Sequence, residues 1–460
     1  MASEASQTMS LKVLVEKEKN RIVFVEANKD FVDVLFSFLT LPIGTIFGLT
    51  REHSLDGEFG CLNNLYETLE KFDEDFLSSE HKGILLHPRC ATDIYCRNLK
   101  VDLVECNKSK HYACGNCNMV RYYPFDSCQC GNASCYEFNL LDPVTQVGSG
   151  FIKPTLRFMI TDDFQVLPMS TTAGLSLLGN FGAFDWGKTE ERMLNIGKDE
   201  VLKLLKCSLA SRTPFSDSIL EPPFSKTEPM INYGQYEPRM MKLSQRDVDT
   251  RNKDEKINLK LFINRSNNRA LYAEVEENFV NLLCSFLSVP IGYIIKECPY
   301  LSFMGCLGNL RKSVQDLDVN KFFKSEEMKA ILLDPKLAPG TTYVNKLIGI
   351  EEVVNLSWST LTSLFRITST RLSSESRLKM GVGLVKGPSM FLVMDSLSIA
   401  PLSPISGMSL INRLKVPVSD IQELEVNMGE EETLRLLVAS LVSRSALTDA
   451  FVRKKTKQET

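Results

Sequence analysis

Residues 31–44 read FVDVLFSFLTLPIG and residues 279–292 read FVNLLCSFLSVPIG. Nine of the fourteen positions are identical without a gap, which marks an internal duplication. In each copy the apolar residues recur at helical spacing. Phe31, Val32, Leu35, Phe38 and Leu39 form one face, repeated by Phe279, Val280, Leu283, Phe286 and Leu287. Asp33 and Ser37, four residues apart, are expected on the opposite face. Asp30 and Asn278 are candidate N-caps. Leu-Pro-Ile-Gly and Val-Pro-Ile-Gly should end the helices, because proline disfavours helix at the residue before it and glycine supplies a turn.

Outward from this segment the correspondence continues. Upstream, Leu11, Val13 and Val15 alternate with polar residues, Glu18 to Asn20 suggest a turn, and Ile22 to Val25 run apolar. Leu259, Leu261 and Ile263, Ser266-Asn267-Asn268 and Ala270 to Val275 repeat this, so both stretches read as hairpins. Downstream, a helix is expected from Cys61 to Phe72, with a twin starting at Cys306. Ile84 to Pro88 match Ile331 to Pro335, and Phe158 to Asp162 match Phe391 to Asp395 as strands. The helical stretch Glu200 to Arg212 matches Glu432 to Arg444. The fold expected is α+β, in two tandem homologous units at 1–220 and 258–453. A Pro-rich, charged linker fills 221–257, and a basic tail 454–460 is read as a frayed, solvated end.

The composition, 43% apolar and 24% charged over 460 residues, is that of an ordinary globular chain. A net charge of −4 creates no global attraction to nucleic acid or anionic membrane. The N-terminus lacks the basic and apolar regions of a secretory signal. The most apolar stretch, Val32 to Leu49, contains Asp33, Pro42 and Gly44, so a buried helix ending in a turn fits it better than a membrane span. Of thirteen cysteines, eight lie between Cys90 and Cys135. With no signal sequence, that clustering points to reduced thiols and an intracellular location, cytoplasmic or nuclear.

The strongest chemical constellation is Cys114-Gly-Asn-Cys117 followed by Cys128-Gln-Cys130-Gly131. Two residues between cysteines let both thiolates of one turn face one ion, and four soft ligands suit a structural Zn2+. The second pair has one intervening residue instead of two, so Cys106, His111 and Cys135 are alternates. The readings are a zinc-ribbon-like insertion at about 100–140 with little core of its own, reduced cysteines without metal, or a redox pair. Four protein ligands would leave no position open for catalysis.

Other features carry less. Gly148-Ser-Gly150 and Gly381-Val-Gly383, with Lys153 and Lys386, are candidate ligand-binding turns. They lack the Gly-Lys-Ser/Thr of a phosphate loop, so a bulge or turn is expected at Gly150, Lys153, Gly383 and Lys386. Lys108, Lys110 and Arg121 with Tyr112, Tyr122 and Tyr123 are a thin basic and aromatic set, read as solvated loop residues. Asp162 and Asp395 are read as turn-capping carboxylates. All four histidines lie in the first copy, and no paired catalytic set is present.

The Phe-Val-Asp-x-Leu-Phe-Ser-Phe-Leu-Thr-Leu-Pro-Ile-Gly-Thr block, the Cys-Leu-Asn-Asn-Leu helix start and the Phe-x-Ile-Thr-Asp-Asp strand end resemble a plant family known as domain of unknown function 674. The resemblance spans nearly the whole chain. It implies tandem copies, and a Cys-x-x-Cys with a later cysteine pair and Gly, here Cys114, Cys117, Cys128, Cys130 and Gly131. It implies no reaction. The functional expectation is a non-enzymatic interaction or scaffold protein with protein partners and one structural zinc. The alternatives are a small-molecule or phosphate-binding module or enzyme using the glycine turns, and a zinc-dependent nucleic-acid binder.

Overall fold

The computed structural model describes residues 8–52, 60–97, 99–104, 110–124, 128, 130–131, 135–143, 150–180, 186–220, 256–298, 306–340, 346–353, 358, 361–362, 365–371, 384–386 and 390–452. Most of the linker and the basic tail lie outside them. From the first copy come β1 (Met9–Glu16), β2 (Arg21–Asn28), α1 (Lys29–Ser37), α2 (Ile43–Glu52), α3 (Leu62–Lys71), α4 (Ser79–Leu86) and α5 (Asp93–Cys96). Then follow β3 (Lys110–Cys114), β4 (Val120–Arg121), β5 (Cys135–Pro143), β6 (Arg157–Thr161), β7 (Val166–Pro168), α6 (Thr171–Asn180), β8 (Thr189–Ile196), α7 (Lys198–Ala210) and α8 (Pro214–Ile219). The second copy supplies β9 (Ile257–Asn264), β10 (Arg269–Glu276), α9 (Glu277–Ser285), α10 (Ile291–Glu297), α11 (Leu307–Asp316), α12 (Val319–Phe322) and α13 (Glu326–Leu333). It ends with β11 (Phe365–Arg371), β12 (Met390–Met394), β13 (Ile399–Pro401), α14 (Pro404–Leu414), β14 (Ile421–Met428) and α15 (Glu430–Val442).

The architecture is mixed α+β with three sheets. Two have five strands in equivalent order, β7-β6-β2-β1-β8 and β13-β12-β10-β9-β14. Each is built on a hairpin whose turn closes at an asparagine in the left-handed region, Asn20 (φ 46°) or Asn268 (φ 52°). Asparagine tolerates that conformation better than most side chains. A register shift follows in both hairpins, between Leu14 and Val15 and between Ala270 and Tyr272.

The duplicated helix differs from its sequence reading in its end, its cap and its burial. It stops at Ser37, and Ile43-Gly44 and Ile291-Gly292 open the next helices, α2 and α10, instead of supplying a turn. Its cap is Asn28, whose Oδ1 accepts from the Asp30 and Phe31 amides at 3.1 and 3.3 Å, rather than Asp30. In the second copy the cap position is Glu276, not Asn278. Asp33 and Ser37 do not face solvent; α1 is buried from Phe31 through Ser37. The polar residues are buried because they have internal partners. Ser37 Oγ donates to Val34 O at 2.7 Å, and Asp33 is held as described below.

The Pro-Ile-Gly segments explain that burial. The Ile43 amide donates to Val289 O, and the Ile291 amide donates to Leu41 O, each at 3.0 Å. Pro42 and Pro290 thus face each other across an antiparallel bridge where the two copies meet. A Cβ on Gly292 would lie 2.4 Å from Leu39 O, so only glycine permits this approach.

Around this junction the copies exchange their helices. Cys61 Sγ, at the start of α3, donates to Ser443 O at 2.9 Å, and Asn64 Nδ2 to Ser396 O at 3.0 Å. Reciprocally, Cys306 Sγ, before α11, donates to Ser211 O at 3.1 Å, and Asn309 Nδ2 to Asp163 O at 2.9 Å. Leu77 bridges to Val385 and Ile152 to Phe323. Phe36 stacks on Phe323 with centroids 6.2 Å apart, and Phe158 meets Phe322. One continuous apolar core therefore runs through both copies. Each fully buried Phe or Leu in it contributes roughly 1.5–3 kcal/mol.

The third sheet has the order β11-β5-β3-β4, with β11 drawn from the second copy. It has its own apolar core. Ile94, Tyr122, Phe138 and Leu140 pack there with Ala338, Leu361 and Phe365. The expected insertion with little core is instead a packed layer, because the second copy supplies a strand and side chains that sequence order gave no reason to place there.

Candidate metal centre

The cysteine cluster sits at the open end of this third sheet. Cys114 is the last residue of β3, whose pairing with β4 sets Ala113 opposite Val120. The turn between them is closed at both ends: the Cys114 amide donates to Met119 O (3.0 Å) and the Asn118 amide to Cys114 O (3.1 Å). Asn118 takes φ 55° there. This turn carries Cys117. The second turn holds Cys128 and Cys130, and the Gly131 amide donates to Cys128 O at 2.8 Å. Gly131 has φ 80°, while a Cβ there would meet nothing within 4 Å. Backbone conformation, not space, is thus why glycine follows the pair.

The two turns bring four sulfurs together. Cys114 Sγ lies 3.5 Å from Cys130 Sγ, and Cys117 Sγ lies 3.4 Å from Cys128 Sγ. All four lie within 4.8 Å of one another, forming a group that could hold a metal ion. A tetrahedron of thiolates at the Zn–S distance of ~2.3 Å has S···S edges of about 3.8 Å, inside the range these sulfurs span, so the donor set fits zinc. The one-residue spacing of the second pair does not prevent this. Cys114 and Cys128 are buried, Cys117 and Cys130 exposed. The Asn116 amide points at Cys114 Sγ at 3.4 Å, a donor that favours thiolate. Burial, and then the neighbouring thiols, push Cys128 up to about 12. Binding a cation is what would make it a thiolate at neutral pH.

Two of the alternates, His111 and Cys135, stand outside this group. His111 lies on β3 three residues before Cys114, and strand alternation turns it to the other face. There it is wholly buried, stacked on Phe138 (5.5 Å), edge-on to Tyr122 (5.0 Å) and 3.3 Å from Arg89 Nη2. Cys135 stands opposite Cys114 in the β3–β5 ladder and packs against Cys114 and Cys128, outside the group of four. Cys106 lies outside the described residues.

Arg121, Tyr122 and Tyr123 are buried, not solvated as expected. Tyr123 Oη accepts from the Arg89 amide at 2.7 Å. Arg89 organises this layer and had no local sequence signal. Its guanidinium bonds Asp93 through Nε (2.9 Å) and Nη2 (2.8 Å), donates to Tyr122 O (3.0 Å) and lies 4.4 Å over the Tyr122 ring. Burial of Asp93 with its partner keeps this ion pair away from water.

The glycine turn is built around a carboxylate of the protein itself. Asp33 Oδ1 accepts from the amides of Phe151 (2.7 Å) and Ile152 (2.9 Å), and Oδ2 accepts from Lys29 Nζ (3.1 Å). Gly150 has φ 86°, and a Cβ there would lie 2.1 Å from Asp33 Oδ2. Lys153 donates its amide to Phe322 O (2.9 Å) and its Nζ to Asn320 O. In the second copy Asn281 Oδ1 accepts from Leu384 (2.9 Å) and Val385 (3.0 Å), and the Lys386 amide donates to Phe76 O (2.7 Å). Gly383 lies outside the described residues.

Asp162 and Asp395 do more than cap turns. Asp162 holds the Ser216 amide (3.0 Å) and hydroxyl (2.6 Å), and Asp395 holds the Thr448 amide (2.8 Å) and hydroxyl (2.7 Å). Each fastens the end of a central strand to the last helical segment of its own copy. Among the described residues, no helix is long and apolar enough to cross a membrane.

A family model described as "Protein of unknown function (DUF674)" matches residues 5–431. The chain therefore belongs to this plant family. No curated protein and no solved structure matches it.

Proposed function

We propose that this family member is a non-enzymatic interaction or scaffold protein, made of two tandem homologous units, with one structural zinc in a zinc-ribbon-like module. The observation that carries this reading is the convergence of Cys114, Cys117, Cys128 and Cys130. Zinc would hold the two cysteine turns to the end of β3. Four thiolates complete its coordination, so the ion would have a structural role and no open position for substrate. The free thiols found at every described cysteine support a reducing compartment, cytoplasm or nucleus.

The alternatives draw less support. A phosphate cradle at Gly150 would need the Phe151 and Ile152 amides, which Asp33 already occupies. A nucleic-acid footprint would need Arg121, Tyr122 and Tyr123 at the surface, and they are buried. Metal analysis of the purified full chain tests the zinc reading. About one zinc per chain is expected, falling to background in Cys114→Ser/Cys117→Ser. A well-folded, metal-free native protein would overturn it.

A further inference from the structure

A cavity of about 230 Å³ lies between α2, the loop after α4 and the first residue of α7. Thr45 and Leu49 line it from α2, His87 and Arg89 from the loop, and Lys198 from α7. Asp93, the carboxylate in its wall, is held by Arg89. The other charged side chains of the lining, Arg89 and Lys198, are cationic, and His87 adds an imidazole; Cys90 contributes a thiol that burial keeps protonated. Lys198 is the first residue of its helix, where a positive charge opposes the helix dipole, so helix stability does not account for it.

The duplication provides an internal control. Where the first copy has Thr45, the second has Tyr293, buried and donating to Ile348 O at 2.8 Å. Where the first copy has Gly48 and His87, the second has Lys296 and Asp334, joined as an ion pair. In the first copy a Cβ on Gly48 would lie 3.2 Å from His87 Nδ1, so glycine lets the imidazole lie against α2. Thus a large side chain and an ion pair take up, in one copy, the place that small residues and an imidazole keep open in the other.

We propose that this cavity is a binding site for a small organic anion bearing a carboxylate or phosphate. Its head would meet Lys198 and His87, and its apolar body would lie on Leu49, Leu103 and Val104. The volume is below the about 300–1,000 Å³ of drug-sized sites, so the ligand is metabolite-sized. None of its lining residues belongs to the group of four cysteines.

Benzoate and phenyl phosphate, with benzyl alcohol as the neutral control, can be titrated against the full chain by NMR. At least one anion is expected to bind at least tenfold more tightly than the alcohol. Lys198→Gln should weaken that binding at least tenfold. The triple variant Thr45→Tyr/Gly48→Lys/His87→Asp, which installs the second copy's side chains, should abolish it. Should that variant fail to fold, Lys198→Gln alone decides. No binding by either anion, equal binding of the alcohol, or unchanged binding in Lys198→Gln would overturn the site.

Discussion

The twin sheets and the third sheet use the duplication in opposite ways. In the twin sheets several contacts made by one copy are returned by the other. Cys61 reaches Ser443 as Cys306 reaches Ser211, and Asp162 holds Ser216 as Asp395 holds Thr448. In the third sheet reciprocity ends: the first copy supplies three strands and all four clustered cysteines, while the second supplies β11 and part of the core. The difference places the metal-competent cysteines in the first copy while showing that the second copy helps build their platform.

Removing the proposed zinc should break this comparison most. Chelation, or Cys114→Ser/Cys117→Ser, is expected to raise hydrogen exchange in β3, β4, β5 and also β11, while β1, β2, β9 and β10 stay protected. Structural zinc sites supply about 10–16 kcal/mol of apparent binding energy in small zinc peptides, so the local effect should be large. Protection in β11 unchanged by chelation would separate the second copy from the zinc module.

Next is the exchanged core. Phe36→Ala should cost about 3–5 kcal/mol, because Phe36 is fully buried against Phe323 of the other copy. One shared denaturation transition, shifted as a whole, is expected. Two separable transitions, with only the first sheet affected, would show that the copies fold independently.

The clips should respond equally. Asp162→Ala and Asp395→Ala each leave buried donors unpaired, a loss of about 1–3 kcal/mol. Chemical denaturation should give similar values for the two. A several-fold difference would mean that the equivalence is geometric only.

The smallest effect concerns Asp33 and Asn281, which accept the same pair of amides with and without a charge. Burial holds the Asp33 carboxyl above its ordinary 3.8, against the pull of Lys29 and the two amides. A carboxyl raised in the folded state favours folding when protonated. Its contribution is present below the unfolded pKa and lost as pH rises through the folded one. Asp33→Asn should therefore remove a decline in stability on going from about pH 4 upward, while Asn281 variants leave the slope unchanged. Identical pH profiles for Asp33→Asn and the native chain would remove the charge from this account.

Much of this was legible in the chain. The duplicated FVxxLxSFLxxPIG block, the hairpins and the cysteine spacing are local patterns, and local backbone preference decides each of them. His111 could have been excluded as a ligand by parity along β3. The polarity of Asp33 was legible, but its burial was not, because its partners at Phe151 and Ile152 lie more than a hundred residues away. Arg89 was silent because, Asp93 apart, its partners Tyr122 and Tyr123 lie 33 and 34 residues away and meet it only through packing.

By itself, then, the sequence determined that the chain holds two copies of one α+β pattern and that one copy carries four metal-competent cysteines. It was folding that made the copies trade helices across the Pro42–Pro290 bridge, brought β11 into the cysteine-bearing sheet, and opened a cavity beside Lys198 in the first copy. Periodicity and spacing report what a segment does with its neighbours in the chain. Which buried face meets which other face is settled by packing between segments far apart, and no local pattern encodes that choice.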